Sequence, residues 1–393
     1  MKYEKLARIG GIGMVIKGEH IFSEEGGFRK GSIEISDNKI KKTNWGNNMA
    51  TPKDEVLEVG EWYVVPGLVD IHFHGCMGVD FCDGTYHAMD VITKYELEHG
   101  ITSIVPATMT LSKEELATIF ENAGKYKSPT GSTIRGITME GPFVSMAKKG
   151  AQNGQFIYKP DMEFYRQMQQ LSGGMIRQVA VAPEEDENFA FIQQASKECV
   201  VSVAHTTAGY DIAKEAFERG ASHVTHLFNA MPSFHHRDPG VIGAAIENKN
   251  VYVELICDGV HIHPAMVRTA FSLFGADRIC MISDSMMAAG MCDGEYSLGG
   301  QKVKVTGKTA TLADGTIAGS ASNLYDCLKV AVKEMGIPLE DAVRACTLTP
   351  AKSLHLEKVC GSIQEGKNAD FVILDKELEI KMVVKDGVNL LKG

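Results

Sequence analysis

The stretch PGLVDIHFHG, residues 66–75, sets His72 and His74 two positions apart behind Asp70. In an extended strand, residues two apart leave the same face, so both imidazoles project together with Asp70 one step earlier in the same row. Two imidazoles on one face make half of a metal site, because neutral imidazole is a common ligand for divalent ions. An HxH pair also occurs in buried polar networks, so taken alone it leaves both readings open.

Four further residues carry the same kind of chemistry: Glu140 in MEGP, His205 in VAHTT, His226 in VTHLFNAM and Asp284 in ISDSM. Each has a structural alternative. Glu140 precedes Gly-Pro and suits a turn, His205 before two threonines suits a helix cap, and Asp284 between serines is common turn composition. His223 rivals His226, and three residues apart in a strand they face opposite sides; His226, nearer the C-terminal end, is the choice. His87, His99 and His355 fall in helix-like or peripheral segments and read as surface or packing residues. A second cluster suits an anion. Asn229, His235, His236 and Arg237 follow the run at His223, His261 and His263 follow the run at Val251, and Arg binds phosphate or carboxylate bidentately. A solvated loop is the alternative for this cluster.

The elements that must position these residues are eight short β-branched runs, starting at Val64, Ile101, Ile134, Ile176, Val200, His223, Val251 and Arg278. Between them lie amphipathic stretches such as SKEELATIFENAGKY, DENFAFIQQASKE and YDIAKEAFERG, with apolar residues at helical spacing. Eight strand-helix units predict an α/β fold, a (β/α)8 TIM-type barrel, and Glu140, His205, His226 and Asp284 then sit at the strand ends where such barrels carry their sites. MVIKGEHIF and KGSIEISDNKI near the start, and GSIQEGKNADFVILD and IKMVVKDGV near the end, alternate like antiparallel strands. The expectation is a small β-sandwich-like satellite domain formed from both termini, residues 1–62 and 354–393, with the barrel spanning 63–353. EYSLGGQKVKVTGKTATLADGTIAG predicts a β-hairpin placed to lie over the barrel mouth.

Bulk properties narrow the function. The chain has 393 residues, 44% hydrophobic and 23% charged, and a formal net charge of -10 with its cations scattered, which argues against a nucleic-acid partner and for a small substrate. No run reaches membrane-spanning length and the first residues lack the build of a secretory signal, so the expected location is cytoplasmic. Nine cysteines without a CxxC pair make a poor disulfide framework. Cys76 and Cys82 lie near the HxH pair, but thiolate metal sites usually come as spaced sets.

In this order, PGLVDIHFHG, MEGPF, VAHTTA, VTHLFNAM, CDGVHIHP, ISDSM and GSASNL resemble the N-acetylglucosamine-6-phosphate deacetylase family of the amidohydrolase superfamily, over nearly the whole chain. The resemblance implies Glu140, His205 and His226 as ligands of the principal divalent metal and Asp284 as catalytic acid/base. It further implies that His261 and Arg237 hold a sugar phosphate with backbone amides near Asn229 and Ala230, and that Arg237 reaches into the neighbouring subunit of a homodimer. Some members replace the HxH pair and bind one metal; His72 and His74 are retained here, which implies a second. Gln152 stands where a number of relatives carry histidine, so an imidazole contact to the substrate amide does not carry over, although Gln152 retains a hydrogen-bond donor.

The activity so implied is hydrolysis of N-acetyl-D-glucosamine 6-phosphate to glucosamine 6-phosphate and acetate by metal-activated water, with Zn, Fe, Mn, Co or Ni all compatible with the ligand types. Rival readings are deacetylation of the galactosamine epimer, opening of a cyclic amide such as a dihydropyrimidine, and a catalytically dead scaffold. The last commonly loses its ligands, which this chain keeps.

Overall fold

The computed structural model describes residues 13–25, 27–46, 55–128 and 130–391. Parallel strands dominate its centre. Leu68–Asp70 pairs with Ile101–Ile104, which pairs with Thr133–Ile134. A second sheet runs in order through Ile137–Met139, Ile176–Val181, Val200–Val203, His223–Val224, Tyr252–Ile256 and Ile279–Ile282. A parallel bridge from Ala107 to Thr138 ties the two sheets at one edge. At the other edge Asp284 N donates to His72 O at 3.0 Å, so the strands form a curled parallel surface.

Nearly every residue of these strands is buried, as their β-branched composition requires when both faces are covered. One apolar cluster joins Val69, Ile71, Val105, Val200, Ile256, Cys280 and Ile282 to Ala351, Leu354, Leu356 and Cys360 from late in the chain. The main cluster packs strand residues such as Val179 and Val253 against helices that include Lys113–Lys125, Tyr210–Glu218 and Pro264–Phe274. Lys113–Lys125 starts in a reciprocal cap, Ser112 taking Glu115 N while the Glu115 side chain takes Ser112 N.

Both ends of the described chain meet in one seven-stranded sheet, in which Glu55–Pro66 lies between Met14–Phe22 and Phe371–Leu374. Its apolar face gathers Ile16, Ile21, Ile33, Val64, Phe371 and Ile373. The chain leaves this sheet for the first parallel strand through Gly67, where a Cβ would stand 2.2 Å from Thr102 Oγ1, so only glycine passes there.

Three local expectations change. Val64–Pro66 belongs to the terminal sheet, pairing with Ile373–Phe371, and the first parallel strand begins only at Leu68. The helix expected across 186–198 is α-helical only over Ala190–Ala195, because Asn188 and Phe189 have positive φ and the Asp186 carboxylate caps late, accepting from Phe191 N and Ile192 N at 3.0 and 2.9 Å. The hairpin at 295–319 is a three-stranded antiparallel sheet, Gly294–Leu298, Gln301–Thr306 and Thr309–Thr311, whose Leu298, Val303 and Val305 pack with Met109, Ala151 and Met286.

Ile373 is fully buried in the terminal sheet, so Ile373→Ala is expected to cost about 2–4 kcal/mol in a urea melt while leaving metal uptake intact. A loss of metal uptake at unchanged stability contradicts that separation.

Candidate metal centre

Beyond the C-terminal ends of four of the parallel strands the chain delivers one polar side chain inward, and beyond Leu68–Asp70 it delivers His72 and His74. Glu140 follows Met139 directly, while His205, His226 and Asp284 each stand two residues beyond their strands. The last three adopt positive φ, at 43°, 29° and 49°. Non-glycine residues seldom occupy this region, and when several do so at one place a site is held against local preference.

The side chains converge on the Glu140 carboxylate, which is 2 % exposed. His205 Nε2 and His226 Nε2 lie 3.1 and 3.2 Å from Glu140 Oε1 and 3.1 Å from each other. His72 Nε2 is 3.4 Å from the same oxygen, and His74 Nε2 is 3.4 Å from Oε2. Asp284 Oδ1 closes the ring, 3.3 Å from His74 Nε2 and 3.9 Å from His72 Nε2. Two groups therefore offer three ligand atoms each, Glu140 with His205 and His226, and Glu140 with His72 and His74.

These residues fit a cation. His72 Nε2 is buried with no hydrogen-bond partner, and two imidazole nitrogens aimed at each other and at one carboxylate oxygen make the donor set of a divalent ion. The charge balance agrees. Burial pushes the Glu140 carboxyl up, yet His72 and hydrogen bonds from His205 and His226 hold it well below the usual range. Burial likewise raises Asp284, while the His74 hydrogen bond and the His72 charge bring it below its ordinary value. Burial opposes protonation of His72 and His74, but Glu254 and Glu140 raise the first, and Asp284 and Glu140 the second.

Backbone and buried groups set the orientations. His205 Nδ1 meets Lys148 O at 2.9 Å and His74 Nδ1 meets Ala107 O at 3.3 Å. Gln152 donates Nε2 to Glu140 Oε2 at 2.7 Å and accepts Thr110 N at 2.7 Å, with Met109 Sδ 3.6 Å from the same amide nitrogen. The loop after His226 folds back tightly. Asn229 Nδ2 donates to His226 O and Leu227 O, and Ala230, at φ 52°, accepts Thr206 N. His261 Nδ1 lies 2.7 Å from Asp258 Oδ2, which also accepts Ser320 Oγ at 3.0 Å.

Other expected participants are elsewhere. Asp70 leaves the row predicted for it, because regular strand ends at Asp70 and the two-residue alternation stops there. Its carboxylate accepts His72 N and, at 2.6 Å, Ser283 Oγ, and burial lifts it to about 7. Neither metal-capable group includes a cysteine, and all nine cysteines are free. His263 caps the helix Pro264–Phe274, accepting Ala265 N at 3.2 Å. Arg237 is exposed beside His236 and lines a surface cleft of about 530 Å³ with Tyr210, Asp211 and Glu247, a cleft that none of the candidate ligands lines.

Sequence reasoning missed Glu254 and Asp258. Glu254 Oε2 is 2.9 Å from His72 Nδ1 and accepts His226 N at 3.2 Å; burial raises its carboxyl, but His72 brings it below the usual range. The signal was present, since a glutamate inside the apolar run VYVELI has no place in a strand covered on both faces without a polar partner.

Residues 63–390 match the profile of the amidohydrolase family. The chain belongs to that family. This amidohydrolase is 35% identical over 380 residues to an N-acetylglucosamine-6-phosphate deacetylase of Bacillus subtilis, covering 95% of this chain and 96% of the relative. It is 29% identical over 376 residues to an N-acetylgalactosamine-6-phosphate deacetylase of Escherichia coli O157:H7, covering 95% and 98%. Among solved structures it resembles a mutant N-acetyl-D-glucosamine-6-phosphate deacetylase from Mycobacterium smegmatis in complex with N-acetyl-D-glucosamine-6-phosphate, at TM-score 0.91 and 31% identity over 97% of this chain and 100% of that one.

The Asp258–His261 pair gives a titration test. Burial works against the His261 charge, but the Asp258 hydrogen bond wins and raises the imidazole. Burial also opposes the Asp258 charge, and the His261 hydrogen bond brings that carboxyl down to about 2. The histidine contribution to stability is therefore full below its unfolded value, about 6.5, and fades as pH climbs through the raised one. The aspartate contribution is present above about 3.9 and is lost only as pH falls toward 2. Asp258→Asn is expected to lower the His261 midpoint in a proton NMR titration, and an unmoved midpoint sinks the pairing.

Proposed function

We propose that this amidohydrolase removes the acetyl group from N-acetyl-D-glucosamine 6-phosphate, giving D-glucosamine 6-phosphate and acetate. The observation that carries it is full-length likeness to a solved structure whose chain holds that sugar phosphate, in a protein whose strand ends gather Glu140, four imidazoles and Asp284. The architecture belongs to the same proposal: a closed (β/α)8 barrel from Leu68 to residue 353, and a small satellite β domain built on the terminal sheet, whose strands lie within 14–66 and 371–391. The hydrogen bond from Asp284 N to His72 O, between the two edges of the curled sheet, supports closure.

Glu140, His205 and His226 would hold the principal divalent ion, and His72 and His74 a second. Zn, Fe, Mn, Co and Ni all suit these ligands. Bound there, a divalent ion supplies Lewis acidity, making water a nucleophile at neutral pH and polarising the amide carbonyl. Asp284 is held ionised by the histidines around it, so it can accept the proton of the attacking water at a carboxylate oxygen. The same oxygen then returns the proton to the amide nitrogen, making the amine a neutral leaving group as the C–N bond breaks. Gln152 sits beside this reaction and exchanges its weak contact to Met109 Sδ for the substrate. His261, turned by Asp258, and the amides of the Asn229–Ala230 turn receive the phosphate. Arg237 completes that subsite from the neighbouring subunit of a homodimer, which accounts for its exposed position in the single chain. A cytoplasmic setting accompanies the proposal, in keeping with nine unpaired cysteines.

Deacetylation of the galactosamine epimer is a second reading, favoured by the Escherichia coli relative. Acetate release from the two 6-phosphates separates them, and a kcat/KM ratio in favour of the galactosamine sugar reverses the assignment. Asp284→Asn is expected to lower kcat by roughly 10²–10⁴-fold with metal content retained; a kcat near wild type removes the acid/base role. Arg237→Ala is expected to raise KM for the phosphorylated sugar by roughly tenfold to a hundredfold, as for a lost charge-assisted hydrogen bond. Equal loss on an unphosphorylated analogue contradicts a phosphate contact.

A further inference from the structure

Glu254 stands behind the metal centre, fully buried on the strand Tyr252–Ile256. Three hydrogen-bond donors face its carboxylate, and a fourth nitrogen, His223 Nδ1, lies near it without a hydrogen bond. His72 Nδ1 lies 2.9 Å and His226 N 3.2 Å from Oε2, while Gln178 Nε2 is 2.7 Å and His223 Nδ1 3.5 Å from Oε1. An ionised carboxylate has no proton to give, so the hydrogen shared with His72 sits on Nδ1. In the neutral imidazole that a cation requires, the other ring nitrogen, Nε2, carries the lone pair, directed at Glu140 and Asp284, and it is a buried nitrogen without a hydrogen-bond partner. Oε2 also grips the backbone of His226, so a single oxygen spans residues from both metal-capable groups.

We propose that Glu254 is a positioning residue that makes the His72/His74 group a metal subsite, by fixing the His72 tautomer and raising the basicity of its Nε2. This rests on the two-metal reading given above. Carboxylates behind ligating histidines act in this way, and their loss costs about 10–100-fold in metal affinity. The environment lets the charge be tested apart from the shape. Gln178 faces Glu254 with Nε2 and leaves its Oε1 buried without a partner, so after Glu254→Gln a turnover of the Gln178 amide lets the new amide nitrogen donate to that oxygen and keeps the amide oxygen toward His72.

The test titrates zinc into the metal-free chain against a chromophoric chelator, with wild type, Glu254→Gln, Glu254→Met, His72→Gln and the double variant His72→Gln/Glu254→Gln. Wild type is expected to take up two Zn²⁺ per subunit, with the weaker event abolished by His72→Gln. Glu254→Gln, which keeps an acceptor oxygen for His226 N, is expected to weaken that event about tenfold with the tighter event unchanged, and Glu254→Met to weaken it about a hundredfold. Adding Glu254→Gln to His72→Gln should change nothing further. Both events at wild-type affinity in Glu254→Gln overturn the proposal, and so does an additional loss in the double variant, which marks a general structural role. Should Glu254→Met not fold, the Gln variant and the double variant decide alone. A single zinc event in wild type, indifferent to His72→Gln, overturns the two-metal reading itself and the proposal with it.

Discussion

One carboxylate, Glu140, is carried out of water into the middle of four imidazoles, and the rest of the site is arranged around keeping it ionised there. Burying a lone carboxylate is costly enough that it would ordinarily take up a proton. Here the cost is offset by hydrogen bonds and charge from His72, His205 and His226 and by the Gln152 amide. Such an offset demands that side chains from distant parts of the sequence arrive within hydrogen-bond reach of two oxygens. The curled parallel sheet meets this demand, since neighbouring parallel strands deliver their C-terminal ends to one place.

Delivery is not free. His205, His226 and Asp284 accept an unfavourable backbone conformation, and each is restrained by what surrounds it. Asp284 N is held by His72 O, His205 is followed by Thr206 and Thr207 bonded to Glu184, and His226 N is held by Glu254. The two imidazole nitrogens so placed, His205 Nε2 and His226 Nε2, lie 3.1 Å apart, an arrangement suited to a cation between them.

What the sequence made legible was whatever depends on period and punctuation. Eight β-branched runs, the helices at 113–125 and 210–218, and polar residues just past the strand ends follow from local rules, and the convergence of Glu140, His205, His226, His72, His74 and Asp284 came with them. Asp70 misled because a two-residue alternation was extended beyond the strand that sustains it. The helix after Asp186 is shorter than its apolar spacing suggests, because a capping carboxylate can act several residues late. Asp258 has its partner His261 only three residues on, but Glu254 escaped because its meaning lies in partners found across the fold, with His72 lying 182 positions away in sequence. No spacing rule reaches so far.

The seven-stranded sheet adds a constraint of another sort. Glu55–Pro66 is flanked on one side by a strand from the first part of the chain and on the other by Phe371–Leu374, so on the ribosome one of its edges must wait for almost the entire polypeptide. During that interval Val64, Val65 and Pro66 form an apolar edge with open backbone groups, a template for the wrong neighbour. Closing so distant a pair is slow, because the loop entropy is spent before the contacts return anything. The sheet thus serves as a late fastening, and the moment at which its last strands dock divides a vulnerable nascent chain from a finished one.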